Sequence, residues 1–199
     1  MAPEPAQPLT FSALILLPDA LQKQFERWTD ETAGASWPAF GGHVTLLPSF
    51  RAELALDAVA ERLAAVCRVH EPFTLQLTKP LAVADRTRQD YFAVFLAAEE
   101  DADSGYTEAA ALRYDLDQAL APVKHDLLPE LASRPFLPHI TLALGVSERE
   151  AGRVVRAGIE SGLIAEFAVE GVTLFAAGDT DDAGVPQQIV VSLGAAAEE

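Results

Sequence analysis

His43-Val44-Thr45-Leu46 and His139-Ile140-Thr141-Leu142 share one pattern: His, β-branched aliphatic, Thr, Leu. Each runs on into apolar chain, Leu47 after the first and Ala143-Leu144 after the second. Strand side chains alternate between faces, so each His and its Thr point one way while Val44, Leu46, Ile140 and Leu142 point the other. Each stretch therefore presents an imidazole and a hydroxyl roughly 6 to 7 Å apart on one face, and burial of the opposite face fixes them there. A single such stretch is ordinary strand chemistry. Two of them, using half of the chain's four histidines, form a constellation.

Outward from the motifs, the chain repeats an order of elements. Phe11 to Leu17 is a short apolar run stopped by Pro18, which predicts a buried strand. Leu21, Phe25 and Trp28 then mark one face of a helix ended by Gly34. Pro48 and Ser49 are expected to break the first motif strand, and a helix from about Glu53 to Val66 follows with Leu56, Val59, Leu63 and Val66 inward. Phe73 to Lys79 alternates as a strand, Asp85 to Asp90 is a polar turn, and Tyr91 to Ala97 is a further strand. Thr107 to Leu120 is helical, with Ala111, Leu112, Leu116 and Leu120 inward, and Pro122 to Pro138 is irregular. Pro138 biases Leu137 toward an extended conformation and aims the chain into the second motif. Ser147 and Glu150 stand in capping-box register for a helix ending near Gly162. Phe167 to Phe175 and Gln187 to Leu193 are strands around the acidic Gly178 to Gly184 segment, which lacks the closing Glu of a calcium loop and reads as a solvated hairpin.

The motif histidines are 96 residues apart, and the strands starting at Phe73 and Phe167 are 94 apart. This register implies an α+β chain of duplicated β-α-β-α-β units related by a pseudo-twofold axis, bilobal, with His43 facing His139 across a central cleft. Residues 1–10 read as a disordered leader, 11–193 as a single bilobal domain with lobes of about 11–80 and 90–193 that exchange strands, and 194–199 as a tail.

Composition narrows the function. Fourteen Lys and Arg against thirty Asp and Glu give a formal net charge of −16, with no basic run to track a long nucleic acid. A small anion bound by a few local donors remains compatible with that field, which salt screens over roughly 8 to 10 Å. The apolar runs are too short to span a bilayer. Cys67 is the only cysteine, which excludes an internal disulfide and fits a cytoplasmic protein. No Gly-x-Ser-x-Gly elbow surrounds Ser12, Ser36, Ser49 or Ser104, and no His-Glu-x-x-His spacing offers a metal site, so neither metal nor cofactor is expected.

Two imidazoles across a cleft suit a reaction that removes one proton while delivering another, because an unperturbed pKa near 6.5 lets one ring be neutral and the other charged. The hydroxyls of Thr45 and Thr141 are placed to donate to the non-bridging oxygens of a phosphoryl group between the rings. Opening of a phosphodiester needs all four groups. Further residues are candidate substrate contacts. Trp37 and Phe40 form an aromatic wall beside the Gly41-Gly42 pair, Tyr91 offers a face for a base as does Phe175, and Lys124, Arg134 and His125 lie in the loop before the second motif. Arg51 and Arg88 are additional phosphate-donor candidates, whereas His70 at a helix end reads as structural.

The paired tetrads resemble the two-histidine (2H) phosphoesterase superfamily, which includes cyclic nucleotide phosphodiesterases and 2'-5' RNA ligase-like proteins. That resemblance implies a bilobal fold with a metal-independent site, His43 and His139 sharing acid and base roles, and Thr45 and Thr141 binding phosphate. It implies as substrates 2',3'-cyclic or related ribose cyclic phosphates, or short RNA ends joined through 2'-5' linkages. Several RNA ligase-like members follow their motifs with a basic residue, whereas Leu47-Pro48 and Ala143-Leu144 stand here. With the acidic charge, this favours a monomeric hydrolase of a small cyclic phosphodiester or nucleotide over RNA end processing or ligation. A non-catalytic nucleotide- or protein-binding module is the expectation from another class.

Overall fold

In a computed structural model the described residues are 9–38, 41–85, 88, 90–178 and 186–194. Phe40, the leader up to Pro8, the acidic segment 179–185 and the tail from 195 lie outside them. The first half of the chain runs β1 (Thr10–Leu16), α1 (Asp19–Glu31), β2 (His43–Ala52), α2 (Leu56–Cys67), β3 (Phe73–Leu77) and β4 (Lys79–Ala84). The second half runs β5 (Phe92–Ala97), α3 (Tyr106–Leu120), β6 (Lys124–Asp126), α4 (Pro129–Ala132), β7 (His139–Val146), α5 (Glu148–Glu160), β8 (Ala165–Val169), β9 (Gly171–Ala177) and β10 (Gln187–Ser192).

These strands make an α+β fold. One sheet has the order β10-β9-β1-β2-β6, a second has the order β4-β5-β7, and β3 pairs with β8. All of these pairings are antiparallel, and four of them join strands from opposite halves of the chain: β9 with β1, β2 with β6, β4 with β5, and β3 with β8. Helix α5 covers one face of the three-stranded sheet, while α2 packs on β9, β10 and α3. A continuous core fills the space between, with Phe11, Phe25, Phe50, Leu46, Leu63, Leu96 and Leu112 among its fully buried side chains. Each such side chain contributes roughly 1.5–3 kcal/mol relative to exposure. Among the described residues no helix is long and apolar enough to cross a membrane.

The helical periodicities hold, with details shifted by packing. Phe25 is buried in α1 with Leu21 and Trp28 against the core, and Val59 and Leu63 are buried in α2. In α3 the inward residue of the first turn is Ala109, whereas Ala111 is exposed. Ser147 caps α5 in a full capping box with Glu150.

Three expectations need correction. Pro48 does not end the motif strand, because β2 runs through it to Ala52. The β1–β2 register shifts there, between Phe11 and Ala13, and a bulge absorbs a residue with no N–H to give the ladder. The segment after Leu77 holds a further strand, β4, hidden in sequence by Pro80 and by its run of small residues. The expected strand from Phe167 to Phe175 is two strands, β8 and β9, in different sheets. The chain changes sheet at Glu170-Gly171, where a Cβ on Gly171 would meet the Val191 carbonyl oxygen at 2.6 Å.

Candidate active site

Both motifs open a strand and occupy the same place in their ladders. His43 lies opposite Leu16 and Thr45 opposite Leu14, while His139 lies opposite Ala97 and Thr141 opposite Phe95. Directly after each Thr the register slips by one residue, between Leu14 and Ala13 on one side and between Phe95 and Val94 on the other. A bulge of this kind sends two consecutive residues toward the core. Accordingly Leu46 and Leu47 are both buried, as are Leu142 and Ala143, while both His and both Thr are half-buried. The bulge carbonyls find partners outside the ladder: Arg113 Nε donates to Leu46 O at 3.1 Å, and Ser36 N donates to Leu142 O at 2.8 Å.

The two imidazoles are oriented alike. Nδ1–H of His43 donates to Gly41 O at 3.0 Å, and Nδ1–H of His139 donates to Leu137 O at 2.6 Å. A carbonyl only accepts, so each neutral ring carries its proton on Nδ1 and its basic lone pair on Nε2. Strands β2 and β7 pack together although they belong to different sheets. Burial holds the His43 pKa below its ordinary value, against the upward pull of the Gly41 carbonyl. Burial likewise depresses His139, the Leu137 carbonyl opposes it, and the charge of His43 lowers it further. The last effect means that the charge of His43 reaches His139.

Support around the pair includes residues that periodicity alone did not single out. The Phe95 ring lies against His139 with centroids 3.9 Å apart. Gly41 has φ +86°, and Gly42 is wedged so that a Cβ on it would run into the Trp37 ring. The Gln22 side chain pairs with Gly42 through both of its polar atoms, Oε1 accepting from Gly42 N at 2.7 Å and Nε2 donating to Gly42 O at 2.8 Å. Tyr106 Oη donates to Phe136 O at 2.7 Å, ahead of the second motif. Phe95 is placed by the pairing of β5 with β7, which the sequence does not show, and Gln22 and Tyr106 act on backbone atoms and leave no pattern.

The candidate substrate contacts separate. Trp37 stands where the chain leads into His43, stacked on Phe25 with centroids 5.7 Å apart, and so belongs to the packed support of that turn. Phe175 shares a face with Thr45, because Leu14 pairs with both Thr45 and Thr173 and Phe175 is two residues beyond Thr173. Tyr91 is at the opposite end of β5 from Ala97, beside a recess of about 440 Å³ lined by Asp85, Asp90, Ser147 and Arg149, and Arg88 lies over its ring. Lys124 and His125 pair with the far end of β2, opposite Ala52 and Arg51. Lys124 is held by Asp117 at 2.5 Å and Asp126 at 2.8 Å. Burial acts to lower its pKa, but those two bonds outweigh it and keep the ammonium charged. His125 faces Glu53 at 3.3 Å, and Arg134 sits in the turn that ends α4. The structure thus brings the two His-Thr pairs together and leaves Tyr91, Lys124 and His125 away from them.

His70 bonds Asp115 at 2.9 Å, and burial pushes the Cys67 thiol up to about 11, far from a nucleophile's range. Among the described residues no group of three or more His, Cys, Asp or Glu side chains is arranged to hold a metal ion.

Over residues 17–181 the sequence matches the 2'-5' RNA ligase superfamily. No curated protein is a significant match. Among solved structures the fold is similar to TT0787 of Thermus thermophilus, with a TM-score of 0.57 and 20 % identity over 94 % of this chain and 98 % of that one. It is similar to apo E. coli LigT, with a TM-score of 0.55 and 19 % identity over 94 % and 99 % of the two chains. It is also similar to E. coli LigT complexed with 3'-AMP, at 0.52 and 20 % over 94 % and 98 %.

Proposed function

The chain belongs to the 2'-5' RNA ligase superfamily, and on that premise we propose that it hydrolyses a small cyclic phosphodiester, a 2',3'-cyclic nucleotide or related ribose cyclic phosphate, with His43 and His139 as its acid–base pair. One observation carries this reading: each imidazole is locked with Nδ1–H on a carbonyl two residues back, which leaves the basic lone pair of each neutral ring on Nε2, and the two strands that carry the rings pack together. The neutral ring takes a proton from water as its oxygen bonds to phosphorus. The protonated ring gives its proton to the ribose oxygen as the P–O bond to it breaks, leaving a phosphomonoester and a free hydroxyl. The hydroxyls of Thr45 and Thr141 donate to the non-bridging oxygens, where charge builds in the transition state. E. coli LigT complexed with 3'-AMP supplies a relative holding a ligand of the product class. RNA end joining is the same ring opening with the hydroxyl of a second RNA end in place of water, and the −16 formal charge weights the reading toward a small substrate.

The same reading treats the chain as a duplicated unit, bilobal and related by a pseudo-twofold axis, with the halves exchanging strands. It is supported by the matched ladder positions of the motifs, by the bulge that follows each Thr, and by the pairing of β4 with β5 and of β9 with β1.

The test is turnover of a panel of 2',3'-cyclic mononucleotides in excess EDTA, with the product isomer read by phosphorus NMR. Hydrolysis to a single monophosphate isomer is expected. Activity abolished by EDTA would overturn the metal-free mechanism, and an inert panel would overturn the substrate class.

A further inference from the structure

The carbonyls that hold the two imidazoles belong to very different chain. In both motifs the residue just before His extends the ladder, Ala98 N donating to Pro138 O at 2.9 Å and Leu17 N to Gly42 O at 3.2 Å. Beyond that shared bond the segments leading into the motifs diverge. The pyrrolidine ring of Pro138 fixes its own φ and confines Leu137 to extended conformations, so Leu137 O is placed by covalent structure. Gly41-Gly42 is the reverse case, a pair with the widest backbone freedom available, one member of it at φ +86°. Left to itself, such a pair would let Gly41 O drift and the His43 ring turn with it.

We infer that Gln22 is the positioning residue of His43, giving the Gly41-Gly42 turn through hydrogen bonds the rigidity that Pro138 gives the second motif through its ring. The primary amide is the side chain that fits this task. Its Oε1 accepts from Gly42 N at 2.7 Å while its Nε2 donates to Gly42 O at 2.8 Å and to Leu17 O at 3.3 Å. This closes the peptide from both sides, as a neighbouring strand would. The base of the side chain is anchored on α1, whose Phe25 is fully buried under the Trp37 ring that covers Gly42. Gly42 is thereby held between an amide and an indole, and the 3.0 Å bond from His43 Nδ1 to Gly41 O inherits that rigidity. The functional consequence rests on the reading of His43 as one of the acid–base pair; the structural consequence does not.

Two variants and two readouts test the inference. Gln22→Ala removes the side-chain bonds to Gly42 and Leu17, and Gln22→Glu keeps the length and the acceptor but removes the donor to the two carbonyls; Gln22 is only half-buried, so both are expected to fold. Ring-nitrogen NMR of 15N-histidine-labelled protein, above pH 7.5 where neutral rings are observed, should show His43 as the Nδ1–H tautomer in the wild type. In both variants its signals should move toward a mixture of tautomers while those of His139 stay in place. With a cyclic mononucleotide, kcat should fall about tenfold or more with KM changed by less than about twofold, the signature of a misaimed group rather than lost binding. Unchanged His43 signals in both variants would overturn the inference, as would equal disturbance of both rings. A wild type that is inert but shows the His43-specific response would instead retain the positioning role and refute the substrate reading.

Discussion

The two motif strands are alike in the His and Thr they present and unlike in how those residues are supported. Each presents His and Thr from the start of a strand, with a bulge directly after the Thr. Behind the first, the Leu46 carbonyl is held by the Arg113 guanidinium, which also reaches Ala132 O at 2.9 Å and lies over the Phe136 ring. Behind the second, the equivalent Leu142 carbonyl is taken by a backbone N–H, that of Ser36. Opposite Thr45 stands Leu14, whereas opposite Thr141 stands Phe95 with its ring against His139. A pair of catalytic groups can stay equivalent in chemistry while its supports diverge, because only positions of atoms at the substrate are constrained by the reaction. It follows that substitutions at the motifs should act alike and substitutions behind them should not.

The strongest way to break that comparison is to remove each imidazole in turn. If both act in one step, His43→Ala and His139→Ala should each lower kcat for a cyclic mononucleotide by about 10²–10⁴-fold. The double variant should be little worse than either, since groups acting as a unit lose their contribution together. Steady-state kinetics of the three proteins decides it. Retention of rate within a few-fold by one single variant would leave the other imidazole as the sole reacting group and end the symmetric mechanism.

A smaller effect sharpens the contrast in support. Arg113→Met keeps an unbranched stem beneath Phe136 but leaves Leu46 O and Ala132 O without their donor, at a cost of about 1–3 kcal/mol in unfolding free energy. Chemical denaturation measures the loss, and ring NMR should place the accompanying disturbance at the first motif. At Leu142 the donor is a backbone N–H, so of the substitutions at position 36 only Ser36→Pro removes it. A stability unchanged by Arg113→Met would show that the guanidinium is incidental to the bulge.

That division between site and support also sets what could be read from sequence. The tetrads were legible because their alternation of polar and apolar residues is the same requirement that buries Val44, Leu46, Ile140 and Leu142. Helices α1 to α3 and α5 were legible for the same reason, from faces such as Val59 and Leu63. Strand β4 was not, since Lys79-Pro80-Leu81-Ala82 lacks the β-branched run that marks a strand, and its place is set by pairing with β5. The passage of β2 through Pro48 was not, because proline's usual exclusion from ladders is lifted at an irregular register. Gln22 and Arg113 grip backbone atoms at distant positions, and a bond to a carbonyl imposes no pattern on the sequence that supplies it. Lys124 looked like a free cation for a phosphate because Asp117 lies a helix end away and Asp126 two residues on, and only the fold closes both onto it.

The mildest expected effect is on pH dependence, and its sign follows from burial. Both imidazoles are held below the ordinary value of 6.5, first by desolvation, and His139 additionally by the charge of His43. As pH falls through 6.5 the unfolded chain takes up protons that the folded pair resists. Their contribution to stability is therefore complete above pH 6.5 and declines below it, until the folded rings themselves titrate. The drop in denaturation midpoint between pH 7.5 and pH 5 should be smaller in the double His43→Ala, His139→Ala variant than in the wild type, whose carboxylates are the same. On the proposed acid–base reading the active form carries one proton on the pair, and the two titrations are macroscopic properties of both rings together. The bell of kcat/KM, which reports the free enzyme, should accordingly peak on the acid side of 6.5. On the proposed reading, bound substrate places a phosphodiester anion between the rings and favours their charged forms, so the kcat bell should lie at higher pH than the kcat/KM bell. Coincident bells would mean that the anion does not sit between His43 and His139. A kcat/KM optimum above pH 7 would mean that the titrating base is some group other than these two desolvated imidazoles.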